Sequence, residues 1–176
     1  VLSEQEQLRR QAMQSLLDLG IDPYPAEEFV INANAADILE NYDRDKLNYK
    51  NISIAGRIMS RRIMGNASFF EIQDSSGRVQ AYVKRDDICP DEDKTMYNVV
   101  FKKLLDIGDI VGINGYVFTT QTGSICVHVE KLTVLAKSLR PLPIVKTDAE
   151  GKTYDAFTDP ELRYRLRYVA LLANPI

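Results

Sequence analysis

Cysteine and histidine, the residues that build most zinc sites, are scarce in this chain. Two cysteines and one histidine occur in 176 residues. Cys89 and Cys126 lack metal-ligand spacing and form no CxxC motif. A zinc site and a disulfide framework are therefore not expected. This cysteine usage favours a reduced, cytoplasmic protein without a structural metal.

Long apolar runs and catalytic motifs are also missing. No stretch approaches the ~18 apolar residues that a membrane span needs, and the opening segment mixes acidic and basic residues, unlike a signal peptide. The chain has no glycine-rich phosphate loop, no G-x-S-x-G and no HExxH, and His128 has no identifiable nucleophile partner. We therefore expect no membrane association and no active site within this chain.

Positive charge is not in excess. The chain has 22 lysines and arginines against 25 aspartates and glutamates, for a net charge of -3. Nucleic-acid binding would therefore need a local basic patch. A hydrophobic content of 45% suffices for one good core, so we expect one domain with appendages. The chain begins at Val1 rather than Met and ends directly after a helical pattern, and we expect it to be part of a longer protein.

The first residues carry the signature of a helix start. Ser3 and Glu6 have the spacing of a capping box, in which their side chains satisfy free backbone N–H groups reciprocally. Apolar residues follow at helical spacing, which predicts a helix over about 3–19. Prolines, asparagines and aspartates then indicate a connecting segment, interrupted by a short helix over 35–43 that Asn34 caps.

From residue 52 the hydrophobic period changes to two, which predicts β-strands. Three strands follow one another, and the turn residues at 74–77 make a hairpin between the second and the third. The inward sets are Ile52, Ile54, Gly56 and Ile58 in the first strand, Phe70 and Ile72 in the second, and Val79, Ala81 and Val83 in the third.

Helical spacing returns between 91 and 106. Two further strands, 110–119 and 124–135, are joined by a turn at 121–123. Three strands, a helix and two strands is the order of a five-stranded OB-fold barrel. The predicted fold class is therefore mainly β, a barrel with appended helices.

The residues after the barrel predict a linker and one more helix. Pro141 and Pro143 indicate an extended segment, and Asp159-Pro160 opens a helix that runs to about Ala173. The predicted divisions are an N-terminal helix with its connecting segment at 1–50, the barrel at 51–136, and the linker with its helix at 137–176.

The strand alternation places aromatic, polar and basic side chains on the outward face of the predicted barrel. Such a face can stack nucleobases on aromatic rings and contact base edges with polar groups. The alternative for Phe69 is that the N-terminal helix or the linker covers it, and for His128 that it is a packed imidazole under a loop. Convergence on one face favours nucleic-acid binding. The outward set is Arg57, Arg61, Arg62, Phe69, Glu71, Gln80 and Tyr82.

Segments along nearly the whole chain match one known family. They include AGRIMSRR at 55–62, LDIGDI at 105–110, LRPLP at 139–143 and RYR at 163–165. With these the chain resembles class II lysyl-tRNA synthetases. The LRPLP connector and the RYR segment are typical of this synthetase rather than of OB-folds in general.

The resemblance implies that the barrel binds the anticodon stem-loop of tRNA(Lys). In that family the aromatic residue matching Phe69 stacks on the middle uridine of the anticodon, and the residues matching Arg62 and Gln80 contact it. Ser124 stands where many relatives have a glutamate that contacts another anticodon base, so we expect that contact to be lost or reassigned. The expected anticodon-binding residues are Arg57, Arg61, Arg62, Phe69, Glu71, Gln80, Ser124 and His128.

The resemblance also implies an enzyme larger than this chain, a ligase that forms lysyl-adenylate from lysine and ATP with Mg²⁺ and acts as a homodimer in the cytoplasm. Its catalytic domain would lie outside these residues, so we expect no cofactor and no catalysis in the chain itself, which should be a monomer. Leu166 and Ala170 depart from the family, which usually has Gln and Asp there.

Three other interpretations stay open. The barrel of an aspartyl- or asparaginyl-tRNA synthetase shares the Phe69 and Gln80 positions, although the LRPLP segment argues against it. A barrel that serves as a protein-interaction surface would suit the negative net charge. A general single-stranded nucleic-acid binder would show no anticodon preference and would leave the C-terminal helix unexplained.

Overall fold

The computed structural model describes residues 2–46, 48–143, 146–147, 153–154 and 160–173. The chain divides into two compact units, Val1–Leu139 and Arg140–Ile176. All strands of the barrel lie in the first unit.

Two helices precede the barrel, and both begin as their caps predict. Helix α1 spans Glu4–Asp18, and the Ser3 and Glu6 side chains form the complete capping box. Helix α2 spans Ala35–Asn41, and the Asn34 side chain accepts a hydrogen bond from the backbone N–H of Asp37. The predictions of both helices are confirmed, because a side-chain oxygen at the cap position satisfies an otherwise free backbone donor.

Five strands close into a barrel in the order β1-β2-β3-β5-β4. Strands β1 and β4 pair antiparallel and complete the closure, while β3 and β5 pair parallel. This confirms the predicted OB-fold barrel. The strands are β1 Ile52–Met64, β2 Ala67–Gln73, β3 Arg78–Lys84, β4 Ile110–Thr119 and β5 Ile125–Ala136.

The barrel core consists of the inward sets that the alternation predicts. Burial alternates along β1, β2 and β3, and every predicted inward residue is buried. The Phe70 ring from β2 lies 5.3 Å from the Phe101 ring, which comes from the helix between β3 and β4. Closing the sheet therefore buries one whole face and leaves the other available for ligands.

The connection between β3 and β4 differs from the single helix expected over 91–106. A short helix α3, Arg85–Ile88, directly follows β3, and a π-helix then spans Met96–Leu104. Tyr97 and Phe101 of the π-helix are fully buried and stack with ring centroids 5.7 Å apart. Hydrophobic spacing predicts a helix here but does not distinguish the wider π turn, whose form depends on packing against the barrel.

A buried polar cluster joins the end of β5 to the loop before β4. The Lys137 ammonium and the Asp109 carboxylate are both inaccessible to solvent and lie 2.8 Å apart. Asp109 also accepts hydrogen bonds from the backbone N–H groups of Asp106 and Ser138. The Arg9 guanidinium of α1 donates to the Ser138 carbonyl, so the N-terminal helix is fastened to the same corner.

The second unit contains two short strands, β6 Lys146–Thr147 and β7 Thr153–Tyr154, where the sequence predicts an extended linker. Helix α4, Pro160–Arg165, and helix α5, Arg167–Ala173, replace the single predicted helix, since Leu166 interrupts it. The predicted cap Asp159 lies outside the described residues. None of the helices that the structure describes has the length and apolar character of a membrane-spanning segment.

Candidate nucleic-acid interface

The outward face of the barrel forms an open groove of about 890 Å³. All five strands contribute to it, together with the turn between β4 and β5. We call this the barrel groove. It is lined by Ser60, Arg61, Arg62, Phe69, Phe70, Glu71, Gln80, Tyr82, Tyr116, Phe118, Thr120, Gln121, Thr122 and His128.

One row of side chains crosses all five strands of the barrel groove. The strand register aligns Arg62 with Phe69, Phe69 with Tyr82, Tyr82 with His128 and His128 with Tyr116. Ring centroids of successive members lie 5.0, 5.4 and 4.7 Å apart from Phe69 to Tyr116. Residues aligned across neighbouring strands point to the same face, so this aromatic row is a consequence of register.

A second row runs parallel to the first and is more polar. The register aligns Ser60, Glu71, Gln80, Cys126 and Phe118 in that order across the sheet. Gln80 is exposed. Cys126 is fully buried despite its outward parity, and burial raises the pKa of its thiol to about 12. The thiol therefore stays protonated at neutral pH and is no nucleophile.

Glu71 is the acidic group of the groove, and a basic side chain holds it. The Arg78 guanidinium lies 3.1 Å from a Glu71 carboxylate oxygen and also donates to the Gln73 side-chain carbonyl, at 2.7 Å. The Arg78 charge is thus largely balanced by Glu71. In this position the Glu71 carboxylate can accept hydrogen bonds from the N–H groups of a nucleobase.

The three predicted arginines have different surroundings. Arg57 donates to the Gly108 carbonyl at 2.8 Å, and Arg61 donates to the Leu105 carbonyl at 2.7 Å, so both guanidinium groups bind backbone at the end of the π-helix or just after it. Burial lowers the pKa of Arg61, and the carboxylates of Asp106 and Asp109 oppose that effect.

Arg62 is exposed at the edge of the barrel groove. It has no hydrogen bond or ion pair to the residues that the structure describes, which leaves its guanidinium available to an RNA phosphate or base. Arg57 does not line the groove. The predicted RNA-binding roles of Arg57 and Arg61 stay predictions.

His128 is held in place from outside the sheet. Its Nε2 atom lies 2.8 Å from an Asp87 carboxylate oxygen, and its side chain is 15% exposed. Asp87 belongs to α3, the short helix that hydrophobic spacing did not predict. The imidazole is therefore packed, as the alternative interpretation of His128 in the sequence analysis expects. It also forms part of the floor of the barrel groove.

Comparison with known proteins agrees with this geometry. The family described as OB-fold nucleic acid binding domain, of the tRNA anticodon type, matches residues 52–141. The chain belongs to this family. The matched residues contain the whole barrel and its groove.

Curated relatives are similar beyond the OB-fold domain. A lysine–tRNA ligase of Porphyromonas gingivalis W83 is 57% identical over 98% of this chain, which corresponds to 30% of that protein. Ligases of the same name from Azobacteroides pseudotrichonymphae and Christiangramia forsetii are 56% and 53% identical over 98% and 99% of the chain. The chain spans only 34% and 30% of these two proteins. The resemblance to lysyl-tRNA synthetases is confirmed.

The OB-fold domain places two aromatic residues in its groove that the sequence interpretation missed. Tyr116 stacks on His128 with an interplanar angle of 11°, and Phe118 lies in T-shaped contact with the same imidazole. A Cβ atom at Gly115 would lie 1.8 Å from the His128 carbonyl oxygen, so β4 can approach β5 this closely only with glycine there. The alternation of β4 could have indicated both rings, since Val117 between them is buried.

Ser124 lies beside the turn that closes the groove of the OB-fold domain. Its backbone N–H donates to the Thr120 hydroxyl, and its carbonyl accepts from the Thr120 N–H. Ser124 is exposed, but it does not line the groove, whereas Thr120, Gln121 and Thr122 do. Polar groups of the turn, which the sequence interpretation did not assign to the site, thus line the groove next to Ser124.

Replacing Asp87 by alanine is expected to lower the affinity of the OB-fold domain for RNA about fivefold, because the imidazole that separates Tyr82 from Tyr116 loses the ~1 kcal/mol hydrogen bond that orients it. Fluorescence anisotropy with an anticodon hairpin measures the change. Asp86→Ala is the matched control, since the Asp86 carboxylate forms ion pairs with Arg85 and Lys94 rather than with His128. Equal effects of the two substitutions would contradict a positioning role for Asp87.

Proposed function

We propose that this chain is the anticodon-binding region of a lysine–tRNA ligase and that its barrel groove binds the anticodon loop of tRNA(Lys). The observation that supports this most is the aromatic row from Phe69 to Tyr116 on an open face, with Arg62 free at its end. A groove of about 890 Å³ has room for several unstacked bases. Sequence-specific RNA recognition uses such splayed bases, held between rings and polar groups.

Phe69 and Gln80 lie on neighbouring strands, in adjacent rows of the groove. We assign the Phe69 ring to stacking on the middle base of the anticodon, where each stacked base contributes ~1–3 kcal/mol. The Gln80 amide has both a donor and an acceptor, and this matches the donor and acceptor on the Watson–Crick edge of uracil. Arg62, aligned with Phe69 in the register, would contact the same nucleotide.

The remaining expectations concern the whole ligase and are part of the proposal. Formation of lysyl-adenylate with ATP and Mg²⁺ would belong to the part of the ligase outside this chain, as would homodimer formation, and the chain alone would be a monomer. No group of three or more His, Cys, Asp or Glu side chains suited to a metal ion occurs among the described residues. We place the enzyme in the cytoplasm.

The anticodon preference can be measured directly by fluorescence anisotropy. A hairpin carrying a UUU anticodon loop is expected to bind at least about tenfold more tightly than a hairpin whose middle uridine is changed to cytidine. Cytosine presents an amino group where uracil has a carbonyl, and a mismatched hydrogen-bonding edge costs ~1–3 kcal/mol. Titrations at two salt concentrations separate this preference from phosphate contacts, which weaken as salt rises.

The two hairpins also distinguish the alternatives. Equal affinity for both would contradict anticodon reading and favour a general single-stranded nucleic-acid binder. Absence of binding to both, at low salt and with folded protein, would favour a protein-interaction surface. A third hairpin, with guanosine at the first anticodon position, tests the aspartyl- or asparaginyl-type barrel, which would bind it more tightly than the UUU hairpin.

A further inference from the structure

A second groove adjoins the barrel groove on the far side of β4. It measures about 500 Å³, and the two grooves share the Tyr116 and Phe118 rings as a common wall. We call it the flanking groove. Its lining residues are Tyr42, Arg44, Asn48, Lys50, Tyr116, Val117, Phe118 and Thr119.

The opposite wall of the flanking groove comes from described residues between α2 and β1. The Asn48 side chain donates to the Asn41 carbonyl at 2.8 Å and accepts from the Asp43 N–H at 2.9 Å, which joins the two ends of the loop. Tyr49, with a φ of 56°, turns the chain toward the barrel, and its carbonyl accepts from the Val117 N–H. Hydrogen bonds thus hold this wall against β4.

Two cations of this loop are available to a ligand. Lys46 lies 3.0 Å from the Asp43 carboxylate, so these two charges balance one another. Arg44 and Lys50 line the flanking groove, are exposed, and have no hydrogen bond or ion pair to the part of the chain that the structure describes. In the barrel groove, by contrast, the Arg61 guanidinium is bound to backbone carbonyls.

We propose that the flanking groove binds the sugar-phosphate backbone of RNA adjacent to the nucleotides in the barrel groove, with Arg44 and Lys50 contacting its phosphates. The inference rests on the proposed function, because it assumes RNA in the barrel groove. Since Tyr116 and Phe118 face both grooves, a strand leaving the aromatic row passes over these rings into the flanking groove. The Tyr42 ring provides an apolar surface there for a ribose or a base.

A contact to phosphates makes a different prediction from a contact to bases. It strengthens binding to every RNA sequence equally and makes affinity more dependent on salt. Each phosphate neutralised on a single strand changes the slope of log K against log salt by about 0.7, so two cations account for about 1.4. The salt slope therefore distinguishes phosphate contacts in the flanking groove from base contacts in the barrel groove.

The test compares the unmodified chain with the double variant Arg44→Gln, Lys50→Gln by fluorescence anisotropy against the UUU and UCU hairpins over a salt series. The variant is expected to bind both hairpins about tenfold more weakly at low salt, with the ratio between them unchanged and the salt slope about 1.4 smaller. The charge-retaining exchange Arg44→Lys, Lys50→Arg is expected to restore the slope. Thermal unfolding verifies that both variants fold.

The matched control is Arg10→Gln, Lys103→Gln, which removes the same charge from exposed positions that line neither groove. An unchanged slope in the Arg44/Lys50 variant, or an equal change in the control, would overturn the flanking-groove proposal while the UUU preference stands. Equal binding of both hairpins by the unmodified chain, with the slope change present, would instead refute anticodon reading and leave the phosphate contact supported. Absence of RNA binding would refute both.

Discussion

Replacing Phe69 by alanine is expected to weaken binding of a UUU anticodon hairpin by about 5- to 150-fold, the equivalent of ~1–3 kcal/mol for one stacked base. The ring lies on the open side of β2, in the row that ends at Arg62. Its neighbour is Tyr82, 5.0 Å away, so the free energy of unfolding should fall by only about 1 kcal/mol through loss of this ring contact. Anisotropy measures the first change and urea denaturation the second.

Phe70→Ala is the matched control, because it removes the same side chain from the next position along the strand, where the ring packs in the barrel core. Phe70 is 2% exposed and packs on Phe101. Its truncation is expected to lower the free energy of unfolding by ~3–5 kcal/mol, since it leaves a cavity in the core. A comparable loss of stability in Phe69→Ala would mean that Phe69 belongs to the core, and unchanged RNA affinity would contradict its stacking role.

Replacing Lys137 by methionine is expected to lower the free energy of unfolding at neutral pH by ~3–5 kcal/mol. Methionine retains much of the apolar stem but removes the ammonium. Asp109, which is inaccessible to solvent, would then keep a buried negative charge without its partner cation. Urea denaturation at pH 7 measures the loss.

Lys131→Met provides the comparison for Lys137→Met, because Lys131 is an exposed residue of β5, the strand that ends directly before Lys137. Its replacement should change the free energy of unfolding by less than about 0.5 kcal/mol. If both variants lost equal stability, the buried Lys137–Asp109 pair would have no special role. Adding Asp109→Asn to Lys137→Met should recover part of the loss, since it removes the uncompensated charge.

The barrel strands were predictable because a strand repeats every two residues whatever its surroundings. Ile54, Phe70 and Val79 follow that repeat and lie in the core. The same parity predicts that Phe69 and Gln80 face outward, and the structure places both in the barrel groove. Their contacts with RNA stay predictions, since orientation alone does not determine what a side chain binds.

The connection between β3 and β4 was less predictable. Its apolar spacing indicates a helix, but the π turn and the separate α3 depend on how Tyr97 and Phe101 fit the end of the barrel. Because the sequence did not predict α3, Asp87 could not be recognised as a site residue. Its proximity to His128 exists only because α3 lies against β5, and the two residues are far apart in sequence.

The sequence by itself determined the barrel, its inward and outward faces, and the family to which the chain belongs, because period, turn residues and specific segments are local properties. Only the tertiary structure decided which outward groups act together. Register across five strands brought Phe69, Tyr82, His128 and Tyr116 into one row. Closure of the barrel bound the Arg57 and Arg61 guanidinium groups to backbone carbonyls and left Arg62 free, since hydrogen bonds between distant residues depend on packing that no local pattern records.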